Sequence, residues 1–109
     1  MDGLVAAKNE VLAVVKQGLQ DFSISRARVK WGIPIPDDPS HVFYVWVDAL
    51  SNYITALGYA DDSPGFEKFW GEGAERMHVI GKEIIRFHCL YWPGLLIAAG
   101  LLPPSRVFA

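Results

Sequence analysis

Between residues 4 and 19 the apolar positions Leu4, Val11, Leu12, Val15 and Leu19 recur at helical spacing, with Lys8, Glu10, Lys16 and Gln17 between them. One apolar stripe on an otherwise polar cylinder predicts an amphipathic helix. The pattern breaks at "GIPIPDDPS", residues 32–40, where three prolines fall in nine residues. Proline locks its own φ and restricts the residue before it, so this stretch is expected to be a connection, neither helix nor interior strand. "HVFYVWVDA", residues 41–49, follows as a β-branched and aromatic run with no clean polar alternation. That predicts a strand covered on both faces. Asp48 is then placed to cap "ALSNYITALGY", where Leu50, Tyr53, Ile54 and Leu57 share a helical stripe and Gly58 suits a stop.

Further along, "DDSPGFEKFWGEG" has loop composition with room for one helical turn around residues 66–70, and "RMHVIG" predicts a second strand. A long apolar helix is expected over about 82–99, closed by Gly100, and "PPSRVFA" begins a third strand. Strand, helix, strand, helix, strand implies an α/β fold with a parallel sheet and right-handed crossovers. In such sheets ligands bind beyond the carboxyl ends of the strands. Two places fit that rule: "WVDA" at Asp48, and "VIGKE", where Gly81 permits close backbone approach and Lys82 stands beside a helix start.

On the long helix Ile84, His88, Tyr91 and Leu95 fall on one face, flanked by Phe87 and Trp92. By itself that face fits either a satisfied core histidine among core aromatics or the wall of a small-molecule pocket. Pro93 bears on the choice: its missing N–H leaves the Cys89 carbonyl without a helical donor, so a kink is expected where the aromatics cluster. The pocket this would form has an aromatic and aliphatic lining, one imidazole, and a rim of backbone and lysine suited to phosphate.

Composition narrows the class. A chain of 109 residues that is 51% hydrophobic and 13% aromatic is one domain or a piece of one, and is not disordered. A net charge of −2 supplies no general attraction to nucleic acid or anionic lipid. The start, "MDGLVAAKNE", has no basic region ahead of an apolar core, so no secretory signal is read and the cytoplasm is the expected location. The longest apolar run, residues 90–102, is broken by Pro93, Gly94 and Gly100, and falls short of the ~20 residues needed to span a bilayer. The single Cys89 has no partner for a disulfide or a Cys-x-x-Cys metal site; it reads as a buried structural thiol, with a reactive thiol as the alternative.

Four segments carry a more specific signal: "FSISRARVKWGIPIP", "FYVWVDALSNYITALGY", "HVIGKEIIRFHCLYWP" and "AAGLLPPSRVFA". In order and spacing they resemble the methionyl-tRNA synthetases, a family of class I aminoacyl-tRNA synthetases. The resemblance implies the second half of a Rossmann-like, parallel-sheet nucleotide-binding catalytic domain. Residues 1–24 would be a helix leading into it, and 25–109 its C-terminal half in part. It implies further that Trp46, Ala49, Leu50, Tyr53, Ile84, His88 and Trp92 line a methionine pocket, with Phe87 and Tyr91 in the surrounding aromatic shell. Gly81 and Glu83 would sit near the ATP ribose and Arg26 near the entry of substrate or of the tRNA end. The implied partners are methionine, ATP with Mg2+, tRNA and the remainder of the catalytic domain, with no membrane and no metal ligand in this segment.

The implied chemistry is attack of the methionine carboxylate on the α-phosphorus of ATP, then transfer of the aminoacyl group to tRNA. The family's HIGH and KMSKS signatures occur nowhere in the chain, so the resemblance implies a fragment inactive alone, and no residue is assigned a catalytic role. Glu83 stands where the family often has aspartate, and Leu50 where some members have proline. Leucyl, isoleucyl and valyl enzymes share "ISR" and a following "WG" more loosely and are the near alternatives. Further off stand a non-catalytic α/β small-molecule binding module and a structural fragment without a ligand.

Overall fold

The computed structural model describes residues 2–27, 31–61 and 63–109; residues 28–30, within "FSISRARVKWGIPIP", and residue 62, in the acidic loop, lie outside the described residues. Helix α1, Asp2–Lys16, forms where the periodicity predicts it. It stops early because Gly18 takes φ 95°, a left-handed conformation suited to a residue without a Cβ. Leu19 thus falls outside the helix and is 65% exposed, while Val11 and Val14 make the half-buried stripe.

The proline-rich stretch departs from expectation. Strands β1 (Ser25–Arg26), β2 (Pro34–Ile35) and β3 (Asp38–Phe43) form an antiparallel sheet in the order β1-β3-β2. Each proline stands where its missing N–H is tolerated. Pro34 opens an edge strand, and Pro36 with Asp37 makes the reversal between the paired Ile35 and Asp38. Pro39 lies in the irregular stretch of β3 opposite the register shift, where no ladder N–H is required. The Asp38 carboxylate accepts from the Ser40 amide at 3.1 Å and from the Ser40 hydroxyl. Those bonds hold it below its ordinary value.

The aromatic run after it is also not one strand. β3 ends at Phe43, Tyr44 is extended, and helix α2 spans Val45–Thr55. Trp46, Leu50, Tyr53, Ile54 and Leu57 supply a helical stripe onto the core, and that packing outweighs the β preference of Val45 and Val47. Asp48 consequently sits in the first helical turn and does not cap it; its charge complements the positive end of the helix. Helix α3, Pro64–Trp70, is longer than the single turn expected. Ser63 Oγ accepts from the Gly65 amide at 3.3 Å, with Pro64 just behind it, a good helix start.

Strands β4 (Met77–Val79) and β5 (Arg106–Phe108) pair in parallel, His78 opposite Val107. Among the described residues β3 does not join them, so the expected three-strand parallel arrangement is a parallel pair beside a separate antiparallel sheet. Arg76 locks the pair at its start. Its guanidinium donates to the carbonyls of Pro103 (2.9 Å), Gly71 (3.2 Å) and Ala74 (2.6 Å), and its amide donates to Ser105 Oγ at 3.1 Å.

The crossover between β4 and β5 is not one regular helix. It begins as a 3-10 turn at Lys82–Ile84, widens into a π turn at Phe87–Tyr91, and ends as helix α4, Trp92–Ala98. In the wide turn the Trp92 amide reaches back to the Phe87 carbonyl. This is the expected distortion ahead of Pro93, taking the form of an added residue in the turn. Along this crossover Ile85, His88, Trp92 and Leu96 are the buried positions, while Ile84, Tyr91 and Leu95 lie half-buried beside them. The expected face was therefore right at His88 and displaced on either side. Leu50, Ile54, Trp70, Trp92 and Leu96 form the apolar core between α2, α3 and α4.

Candidate functional site

Helix α2, the π turn with helix α4 after it, and strand β4 bring an imidazole pair and two aromatic rings together at the edge of this core. His88, in the π turn, is 1% exposed. Its Nδ1 lies 3.0 Å from the Ile84 carbonyl, which can only accept, so Nδ1 carries the proton. Its Nε2 then accepts from the Tyr53 hydroxyl, 2.7 Å away on α2. A second histidine repeats the logic: the Trp92 indole Nε1 donates to His78 Nε2 at 3.1 Å. The ring of His78 lies 4.3 Å from that of Tyr53 and 5.4 Å from that of His88. Among the described residues no fully buried side-chain nitrogen or oxygen lacks a hydrogen-bond partner.

Burial pushes His78 down to about 4, and the adjacent His88 adds to that depression. His78 is therefore neutral at physiological pH, as its acceptor role toward Trp92 requires. Burial pushes the Cys89 thiol up, which keeps it protonated and unreactive. The reading as a structural thiol fits that state.

Of the residues singled out from sequence, Leu50, Tyr53, His88 and Trp92 converge on this cluster, and Trp46 closes one flank by stacking on Phe87 at 3.9 Å and 11°. Trp46 belongs to the first turn of α2 and not to a strand end. Phe87 meets Tyr91 edge-on at 5.4 Å, and Tyr91 meets Phe22 at 4.5 Å. Ala49 is exposed on α2, and Ile84 ends the 3-10 turn half-buried. Gly81 and Glu83 are exposed at the opening of that turn. There the Glu83 carboxylate folds over Gly81, within 2.6 Å of where a side chain on that residue would begin. A larger residue at 81 would displace that exposed carboxylate. Lys82 opens a turn too short to supply much of a helix dipole.

Arg26 stands apart from the histidines. Its guanidinium lies 4.3 Å over the Tyr44 ring and donates to the Ser25 carbonyl at 2.9 Å. With Trp31, Phe43, Tyr44 and Asp48 it borders a cleft of about 370 Å³. A larger hollow of about 470 Å³ lies between α1 and β5, walled by Val11, Leu12, Cys89, Pro93 and Val107. Sequence reasoning missed three residues that organise the site: His78, Trp70 and Arg76. The first was legible in principle, since "MHV" places His78 on the opposite side of the strand from Met77 and Val79, and it alone of the three is buried.

Such an arrangement suits recognition more than proton transfer. Both imidazoles are committed to fixed hydrogen bonds, and the surrounding surfaces are aromatic faces and aliphatic side chains, favourable to an apolar or thioether group. Among the described residues no three His, Cys, Asp or Glu side chains converge as they would on a metal ion.

Comparison with known proteins gives this geometry its context. Residues 4–109 match the family described as tRNA synthetases class I (M). The chain is 56% identical over 108 residues to a methionine--tRNA ligase of Rhizobium meliloti and 52% identical over 107 residues to that of Mesorhizobium japonicum, covering 98% of this chain and 20% of each relative. It superimposes with TM-score 0.87 and 50% identity on the Mycobacterium tuberculosis methionyl-tRNA synthetase in complex with methionyl-adenylate, covering 95% of this chain and 20% of that one. The chain thus spans about a fifth of the length of the relatives it matches. With a family match over nearly all of its residues and an α/β structure that follows a solved synthetase, this chain belongs to the class I (M) tRNA synthetase family.

Proposed function

We propose that this segment supplies the amino-acid pocket and part of the ATP site of a methionine--tRNA ligase. The observation that carries the reading is His88: an almost wholly buried imidazole, oriented at both nitrogens, set among Tyr53, Trp92, Trp46 and Phe87. In a plain core such a group is an expense; as the polar point of an apolar pocket it gives selectivity. Trp46, Ala49, Leu50, Tyr53, Ile84, His88 and Trp92 are proposed to line the pocket, with Phe87 and Tyr91 behind them. Gly81 and Glu83 are proposed to meet the ATP ribose, where the Glu83 carboxylate can accept from hydroxyls. Arg26 is proposed to meet incoming substrate or the tRNA end. Residues 25–109 then belong to the second half of a Rossmann-like domain, with residues 1–24 leading in, and the rest of that domain is the segment's first partner. Cytoplasm is the proposed location.

In the complete enzyme the methionine carboxylate oxygen forms a bond to the α-phosphorus of ATP as the bond to the bridging oxygen breaks, and pyrophosphate departs with that electron pair. The aminoacyl group then passes to a ribose hydroxyl of tRNA, and AMP leaves. An ionised carboxylate needs no general base, so the residues here act by positioning. Mg2+ enters with the ATP phosphates as part of that substrate.

The test is methionine-dependent exchange of pyrophosphate into ATP, measured on the full-length protein containing this segment. Exchange with methionine and none with leucine, isoleucine or valine is expected; preference for a branched amino acid would refute the reading. His88→Ala in that protein should raise the methionine KM more than it lowers kcat. Equal losses in kcat and kcat/KM would instead place His88 in the chemical step.

A further inference from the structure

We propose that His78 is a positioning residue for the amino-acid pocket, its Nε2 holding the Trp92 indole and its ring backing Tyr53, so that one imidazole sets both aromatic walls. The inference rests on the reading above that Trp92 and Tyr53 line the pocket.

His78 stands on β4, Trp92 at the start of α4 and Tyr53 on α2, so the contact joins three elements. The indole bond measures 3.1 Å, and the Trp92 side chain belongs to a residue only 2% exposed. In that environment its N–H has no water to turn to, and an indole that lost its acceptor would have to rotate or leave a donor unsatisfied. Trp70 lies 5.9 Å from the His78 ring and 6.2 Å from the Trp92 ring, so a third ring packs against both. Tyr53 cannot swing toward β4 either, since the His78 ring faces it at 4.3 Å while its hydroxyl is engaged by His88. The orientation of both walls therefore passes through a residue that stands behind them.

A merely space-filling histidine and a positioning one respond differently to substitution. Leucine fills similar volume without an acceptor; glutamine carries an acceptor oxygen near the position of Nε2; asparagine carries one that falls short of it. The measurements are pyrophosphate exchange kinetics on the full-length protein. Wild-type exchange is measured first, because its absence would overturn the pocket reading independently of His78. Given that exchange, His78→Leu should raise the methionine KM about tenfold with kcat within about threefold and the ATP KM unmoved, as expected for loss of one buried hydrogen bond. His78→Gln should restore most of the KM. In a Trp92→Phe background, which lacks the donor, His78→Leu should add nothing. Equal falls in kcat, a parallel rise in the ATP KM, failure of glutamine to rescue, or additive effects in the double variant would each overturn the proposal. If the leucine variant does not fold, the comparison of His78→Gln with His78→Asn decides: a methionine KM about fivefold lower for glutamine supports the hydrogen bond, and equal values refute it.

Discussion

Tyr53 and His88 show how much one hydroxyl can determine. The 2.7 Å bond from Tyr53 to His88 Nε2 fixes the imidazole tautomer, because the Ile84 carbonyl already occupies the other nitrogen. Tyr53→Phe removes the donor and strands a buried acceptor, so a loss of about 1–3 kcal/mol in stability is expected, read by urea denaturation of the catalytic domain. His78 adds a pH dependence of defined sign. Its folded value, about 4, lies below its ordinary 6.5, so the unfolded chain takes up the proton first as pH falls. The stability contributed by neutral His78 is complete above 6.5, declines as acid is added, and levels off once the folded state also protonates near 4. Denaturation midpoints measured between pH 7 and 4 should fall accordingly, and His78→Gln should flatten the part of the slope due to this group. At this scale the sequence was informative at Leu50, Tyr53 and Ile54 on one helical stripe and at His88 on another, whereas Trp92, read only as flanking that second stripe, is a buried position and Leu19 is exposed. His78 escaped notice because a strand of three residues gives too short an alternation to separate its faces by pattern alone.

At the level of elements, α1, α2, α3 and the β4–β5 pair were readable, and their boundaries were less so. The run "FYVWV" satisfies strand propensity and helical periodicity alike; only contact with the facing helix decides for α2, and that contact is not local in sequence. The prolines misled for a related reason. Their rule bars the interior of a ladder, but a bulge and a reversal create positions where no N–H is needed. Arg76 is the element-scale residue that periodicity could not reveal, since its partners are carbonyls on either side of the β4–β5 junction. Arg76→Lys keeps the charge and loses the planar fork, so it should cost about 1–3 kcal/mol and loosen amide protection of β5 in hydrogen exchange. Retained protection would show that strand pairing holds without it.

Across the whole molecule the outward face of the parallel pair is apolar: Met77, Val79 and Phe108 are 53%, 69% and 51% exposed, and Ile97 on α4 is 64% exposed. Parallel strands are ordinarily covered on both faces, and two strands alone are marginal. On the proposed function the cover is the remainder of the catalytic domain. Residues 1–109 produced alone should therefore bind a hydrophobic dye strongly and associate with rising concentration, seen by light scattering. They should also show no methionine-dependent pyrophosphate exchange, because one lysine and a single 3-10 turn cannot stabilise a triphosphate during displacement. Exchange above an enzyme-free control that persists through repurification would mean the phosphate-handling groups are already present here.

The wide turn at Phe87–Tyr91 decides which changes of length this stretch can take. Ile85 lies before it, His88 within it, and Trp92 and Leu96 after it, and all four are buried in the same interior. Removing Leu90 would let the turn close to ordinary helix, and because a π turn holds one residue more than the α turn it replaces, the flanks would keep nearly their present orientation, with Trp92 still toward His78 and Leu96 still in the core. A one-residue deletion there should still fold, with a modest fall in the thermal denaturation midpoint, whereas removing Gly94 from the regular helix α4 should rotate Leu96 by about 100° out of the core and abolish folding. A single residue can then be lost within the wide turn, while in the regular helix that follows, a gain or loss would require a matching change before the next core position.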